Sequence, residues 1–382
     1  MSQLHHLLTF PSRPVTGDYV TSVRKLLASG IPATYTLEQV AAFEKNGTDE
    51  MSESASNTTP LHILARSLPL DLSEDETSVV LSLMDTLFEY GAGWNFIDYE
   101  DKTVGDLLVE RGQKKTGALY QRVVDAGVSA ELLLRKLNGG EIEFLEDPQH
   151  AEEQQQQEAD STADNQQVYL STKLEYNENA LVTRENRDGV MMDWETHIME
   201  LAANTICRKD AAELTVLNIG FGMGIIDNFI ASHSPHKHYI CEAHPDVLAK
   251  MRADGWYDRP NVVVLEGRWQ DSLNALLDQG SLFFDGIYYD TFSEHYQDML
   301  DLYDVVVGLL KPDGVFSFFN GLGADRPLCY DVYNKIVSLD LQDYGLQCQY
   351  TTISVPTDQQ WHAVKRSYFN CDYYYHPQIR FR

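Results

Sequence analysis

Apolar and polar positions follow different periods in the two halves of this chain. From Leu81 to Tyr90, Leu81, Met84, Leu87 and Phe88 fall on one helical stripe, and Gly91 supplies a helix stop. The pattern predicts a helical N-terminal half. Further on, short apolar runs alternate with helix-like segments. Strands are predicted at 214–220, 238–242, 262–265, 286–289 and 314–319, the last after the turn Lys311-Pro312-Asp313-Gly314. Two late β-rich runs, 347–355 and 368–375, suit an antiparallel hairpin that closes the sheet. A helix is predicted from Val190 to about Arg208. This alternation is that of an α/β domain with seven strands.

Between the halves, residues 140–167 hold nine Asp or Glu, no Lys or Arg, and a Gln run at 154–157. So few apolar side chains cannot offset the entropy of ordering, so a flexible linker is expected. The expected division is a helical domain at 1–139, the linker at 140–167 and the α/β domain at 168–382. In the first domain, Thr59-Pro60-Leu61-His62-Ile63-Leu64-Ala65 resembles the ankyrin T-P-L-H-x-A pattern. Asp101-Lys102-Thr103 looks like the start of another repeat, with an insertion near 70–77. His62 is expected to bond within its repeat rather than ligate metal. Such a domain either binds a protein or is a structural cap on the other half.

Charge narrows the partners. The net charge is −29, with 58 acidic residues against 29 Lys and Arg. That surface repels phosphate, so nucleic acid and anionic membrane are disfavoured and a basic protein is favoured. Solubility alone is the blander explanation. The Cys residues at 207, 241, 329, 348 and 371 are odd in number and show no C-x-x-C spacing, which suits a reducing compartment and no metal site. No stretch reads as a signal peptide or as a membrane span, so a soluble intracellular protein is expected. A monomer is the expected state.

The chemistry is concentrated where Leu217-Asn218-Ile219 runs into Gly220-Phe221-Gly222-Met223-Gly224. Glycines between a strand and a helix let backbone approach a ligand, and the helix start offers free N–H groups. A dinucleotide site would need a third glycine at position 225, which is Ile225. Gly220-x-Gly222-x-Gly224 is instead the form favoured by S-adenosylmethionine (SAM) methyltransferases. Glu242, ending the next strand, is placed to accept both ribose hydroxyls, unless it is a solvated loop acid. Arg268-Trp269 follow the third strand, where adenine contacts usually sit, although Trp269 also suits a core. Asp290 ends the fourth strand, at the corner that would face the transferable methyl. Glu195 stands at a helix start, where an acid also complements the dipole.

Together, Met191-Met192-Asp193-Trp194-Glu195-Thr196, Gly220-Phe221-Gly222-Met223 and Tyr289-Asp290-Thr291 strongly resemble guanidinoacetate methyltransferase, as does the ending Tyr373-Tyr374-Tyr375-His376-Pro377-Gln378. The resemblance covers about residues 169–382. It implies a Rossmann-like, SAM-dependent domain in which Glu195 and Asp290 hold a guanidinium. It also implies donor contacts at Met192, Gly220, Phe221, Gly222, Met223, Gly224, Glu242, His244, Gly267, Arg268, Trp269 and Asp290.

An ankyrin-like region before such a domain is similar to the fungal type IV protein arginine methyltransferases. That resemblance spans nearly the whole chain. It implies methylation of the δ (N5) nitrogen of an arginine in a ribosomal protein, in cytoplasm and nucleus. The enzymes that modify terminal nitrogens carry paired glutamates and a T-H-W segment. Glu294 has no matching second Glu, and Gln360-Trp361-His362 is not T-H-W. Two alternatives stay open: a small-molecule guanidino methyltransferase, and a silent SAM-domain scaffold for basic proteins.

Overall fold

The computed structural model describes residues 3–47, 56–137, 162, 165–207, 213–356, 361, 364–365 and 367–382. Most of the acidic stretch expected at 140–167 lies outside them. The chain divides into two compact units. One is Met1–Glu143 with Arg326–Lys335, the other Phe144–Asp325 with Ile336–Arg382.

The described part of the first unit before residue 138 is helical: α1 (Gln3–Leu7), α2 (Gly17–Ala28), α3 (Leu37–Asn46), α4 (Pro60–Arg66), α5 (Glu74–Glu89), α6 (Val104–Glu110) and α7 (Ala118–Leu137). Polar caps set these starts. Thr36, Ser73 and Thr103 each accept from the backbone N–H three residues on, and the side chains of Gln39, Glu76 and Asp106 return the bond. The buried stripe of α5 is Val80, Leu83, Met84 and Leu87. It is rotated from the expected one, because Phe88 leaves the core to lie under the Arg122 guanidinium, 4.9 Å from its ring. His62 is fully buried between Thr59 Oγ1 at 2.8 Å and the Phe96 carbonyl at 3.0 Å.

In the second unit, α8 (Gln166–Ser171) opens where the linker was expected to end. The Asn165 side chain accepts from the backbone N–H groups of Gln167 and Val168, which caps it. A small antiparallel sheet follows: β1 (Leu174–Tyr176), β2 (Ala180–Thr183) and β3 (Gly189–Met192). It was not expected, and it shortens the helix expected from Val190. The chain stays extended to Met192 and makes a 3-10 turn at Asp193–Glu195. Only then does it enter α9 (Thr196–Ile206).

The main sheet consists of β4 (Thr215–Ile219), β5 (Lys237–Glu242), β6 (Val262–Glu266), β7 (Phe284–Tyr289), β8 (Leu310–Phe318), β9 (Leu346–Ser354) and β10 (Tyr373–Phe381). Its order is β6-β5-β4-β7-β8-β10-β9, and β10 runs antiparallel to both neighbours. This is the sheet order expected of the Rossmann-like domain that the sequence resemblance implies. Its strands carry apolar residues on both faces, as helix-covered parallel strands must. Val216, Ile240 and Tyr288 pack with α9 residues Met199, Ala202 and Ile206 on one face. Leu217, Ile219, Ile287 and Phe316 fill the other.

The hairpin strand expected at 368–375 sits further on. β10 continues through His376 and Pro377, with Pro377 paired to Tyr350, and Tyr368 stays outside it. The order reverses at β4, so a crevice forms between the carboxyl ends of β4 and β7.

Candidate active site

Gly220, Gly222 and Gly224 have φ of 95°, 54° and 73°. L side chains rarely adopt this left-handed region, which explains the spacing. The turn then enters α10 (Ile225–Ser232). At Gly220 the demand is steric as well, since a Cβ there would lie 1.8 Å from the Asp290 carbonyl oxygen. The Asp290 N–H donates to the Ile219 carbonyl at 2.9 Å. The ends of β4 and β7 are thus fastened together at the crevice.

A narrow pocket beside this junction is lined by Gly220, Gly222, Glu242, Gly267, Trp269 and Asp290, with Arg268 at the same wall. Glu242 is only 8 % exposed. It accepts from Phe221 N–H at 2.9 Å and from His244 N–H at 2.7 Å. Burial raises its pKa, and these backbone donors oppose the rise. Trp269 serves in both expected ways: it lines the pocket and packs with Leu273 and Leu276.

Met192, Phe221, Met223, Gly224 and His244 stand behind this wall. Met192 packs with Ala180 and Val182, and its neighbour Met191 lines the pocket instead. Side chains alternate along β3, so only one of the two methionines can face inward. Phe221 lies edge-on to Trp256, and the N–H of Met223 points at the Met191 sulfur at 3.3 Å. His244 Nε2 lies 3.1 Å from the carbonyls of Tyr169 and Thr172, while Nδ1 accepts from Asp246 N–H. These partners make Nε2 the protonated nitrogen. His244 therefore secures α8, whose Tyr169 reaches the pocket.

A second cavity, of about 300 Å³, shares Asp290 with the first and adds Glu195, Phe319 and Tyr368. Among the described residues the Oδ2 of Asp290, shut off from solvent, meets no hydrogen-bond partner, and burial pushes its pKa up to about 7. Glu195 is 2 % exposed. The 3-10 turn folds its carboxylate back to accept from Met192 N–H at 3.1 Å, and the Tyr368 hydroxyl donates to the same oxygen. Burial and the nearby charge of Asp290 raise the Glu195 pKa, while those two donors lower it. Glu195 therefore faces the cavity and does more than complement a helix dipole. Behind Tyr368 stand the rings of Trp194, Trp361 and Phe369. Two carboxylates in one cavity, beside aromatic faces, suit a cation.

Comparison with known proteins bears on what this site does. Residues 159–378 match the family model described as guanidinoacetate N-methyltransferase. "Protein arginine N-methyltransferase 2" of Saccharomyces cerevisiae is 63% identical over 413 residues, covering 100% of both chains. The chain belongs to the protein arginine N-methyltransferase 2 family. The Kluyveromyces lactis protein of the same name is also 63% identical, and that of Debaryomyces hansenii is 45% identical, covering 100% of this chain and 99% of its own.

As a family member, the protein is a SAM-dependent methyltransferase. Its residues fit that donor. The glycine cradle tolerates no side chain at Gly220, and Glu242 presents a buried carboxylate to the pocket. Gly220, Gly222, Glu242, Gly267 and Trp269 would hold the group. When bound, it supplies an electrophilic methyl.

Tyr368 gave no sequence signal, because it acts on a residue 173 positions away. Tyr368→Phe removes a donor that favours ionised Glu195, so the Glu195 pKa should rise. The acid limb of kcat/KM should move to higher pH, with about tenfold loss near neutrality. A pH–rate profile superimposable on the wild type would refute this role.

Proposed function

We propose that this protein transfers a methyl group to the δ nitrogen of an arginine in a basic protein substrate, a ribosomal protein being the expected target. The observation that carries this reading is the pair of carboxylates, buried Glu195 and half-buried Asp290, in one cavity bordering the donor pocket. The names of the relatives agree with arginine as the acceptor.

Arginine is cationic at working pH and its nitrogens are poor nucleophiles. Carboxylates on the terminal N–H groups draw positive charge outward and leave more electron density on the internal nitrogen. Binding the guanidinium also lowers the raised pKa of both acids, so arginine binding should drive their ionisation. The internal nitrogen's lone pair would take up the electrophilic methyl that the bound donor supplies. Asp290, whose Oδ2 has no other partner, takes the departing proton. Glu195, held by Tyr368 and Met192, stays the fixed half of the clamp. Positioning supplies much of the rate.

In the same reading, the first unit is an ankyrin-like stack that engages the substrate protein. The Thr59–His62 pairing and the His62 bond to Phe96 support this, because they tie a helix start to a distant loop as repeats do. A monomer acting in cytoplasm and nucleus completes the proposal. No direct contact with nucleic acid or membrane is expected. Among the described residues no helix is long and apolar enough to cross a membrane.

Mass spectrometry of an extract lacking this protein, before and after adding it back, tests the assignment. Fragment ions should place a new methyl on the internal nitrogen, and a methyl on a terminal nitrogen would remove the δ assignment. The match to the guanidinoacetate model favours a second reading, a small-molecule acceptor. Labelled SAM with free guanidinoacetate distinguishes it, and no label should be transferred.

A further inference from the structure

A third carboxylate borders both cavities, and neither reading above uses it. Glu294 lies between the donor pocket and the acceptor cavity. Its Oε1 accepts from the Trp269 indole at 2.9 Å, Gln270 Nε2 at 3.1 Å and Gln166 Nε2 at 2.8 Å. Its Oε2 accepts from the same indole at 3.0 Å, the Thr291 hydroxyl at 2.8 Å and the Tyr289 hydroxyl. A carboxylate has about four lone-pair sites, so these donors saturate it. Despite its place in the acceptor cavity, Glu294 therefore has no capacity left to hold a guanidinium.

The donors come from separate parts of the second unit. Trp269 begins α11 (Trp269–Gln279) and lines the donor pocket. Tyr289 and Thr291 flank Asp290 at the end of β7. Gln166 begins α8, which supplies Tyr169 and Leu170 to the same pocket. We infer that Glu294 is a positioning residue: it fixes the adenine-side wall at Trp269 against the segment bearing Asp290, and through Gln166 it holds α8 over the bound donor. This rests on reading the pocket as the SAM site.

In Glu294→Gln, an amide N–H₂ replaces an acceptor and faces the indole and carboxamide donors. Calorimetry with S-adenosylhomocysteine on the full-length protein should show at least tenfold weaker binding. Gln166→Leu should weaken it about threefold. The double variant should bind no worse than Glu294→Gln alone, because both lose the same link. Amide hydrogen exchange at 165–172, measured with ligand at saturation, should rise in both single variants.

Wild-type affinity in Glu294→Gln, additive losses, or unchanged exchange at 165–172 would each overturn the proposal. Should Glu294→Gln fail to fold, Gln166→Leu decides alone: wild-type affinity and exchange there would also overturn it. If the wild-type protein does not bind S-adenosylhomocysteine at all, the reading of the pocket fails first and the proposal falls with it.

Discussion

Asp290→Asn should nearly abolish methyl transfer and yet raise the melting temperature. Loss of activity follows from removing both a charged clamp and the proton acceptor. One charge-assisted partner in a closed site is worth roughly 2–4 kcal/mol of transition-state stabilisation, or about 30- to 1000-fold in rate. The gain in stability follows from burial. Among the described residues Oδ2 has no partner, and burial raises the folded-state pKa to about 7, above the ordinary 3.8. The folded protein therefore binds more protons than the unfolded chain between these values. Stability is highest below the ordinary carboxylate range and falls as pH rises toward 7. At pH 8 the ionised group is therefore a net cost to the folded state.

Asparagine has no charge to lose. It also removes the neighbour that raises the Glu195 pKa. The variant should melt several degrees above the wild type at pH 8, and the difference should vanish near pH 4. Thermal denaturation across that range, beside turnover on an arginine substrate, measures both. A variant that melts no higher at pH 8, or that keeps near-wild-type turnover, contradicts this account of the site.

Gly220→Ala should be the most damaging single methyl group in the catalytic unit. The added carbon would sit 1.8 Å from the Asp290 carbonyl oxygen, on backbone at φ 95°. Neither partner is a flexible side-chain tip. The ends of β4 and β7 must separate, with a loss of at least about 3 kcal/mol. Binding of S-adenosylhomocysteine should become undetectable by calorimetry. Gly345→Ala is the matched control, because Gly345 shares a positive φ, 74°, with nothing within 4 Å of the added carbon. It should cost only about 1 kcal/mol in urea unfolding. Equal losses in the two variants would show that backbone conformation, and not the β4–β7 approach, sets the requirement.

The glycine turn was legible in the sequence because left-handed backbone needs glycine at fixed spacing. Strands β4 to β8 were legible because parallel strands buried on both faces read as apolar runs. Other features left no local signature. The choice between Met191 and Met192 depends on the phase of a strand only four residues long. Tyr368 and Glu294 act through hydrogen bonds to residues distant in the chain, so no period or motif marks them. The displaced β10 has a similar cause. A tyrosine-rich run resembles a strand from its first aromatic, and Pro377 resembles a stop, whereas pairing with β9 carries the chain through it. Asp290 was marked by the predicted end of its strand and Glu195 by a predicted helix start, but their shared role came only from the resemblance of the motifs around them.

The junction of β4 and β7 also bears on how this enzyme can change over time. The backbone of Asp290 is tied to Ile219 by its N–H, and its carbonyl sits against Gly220. One half of the proposed acceptor clamp is thus rigidly joined to the glycine turn, and selection cannot adjust one without disturbing the other. The other half has no such tie. Glu195 rides on a 3-10 turn, and Tyr368 on the chain leading into β10. Divergence toward new acceptors should therefore accumulate around 367–372, while the glycine turn and Asp290 pass unchanged from one specificity to the next.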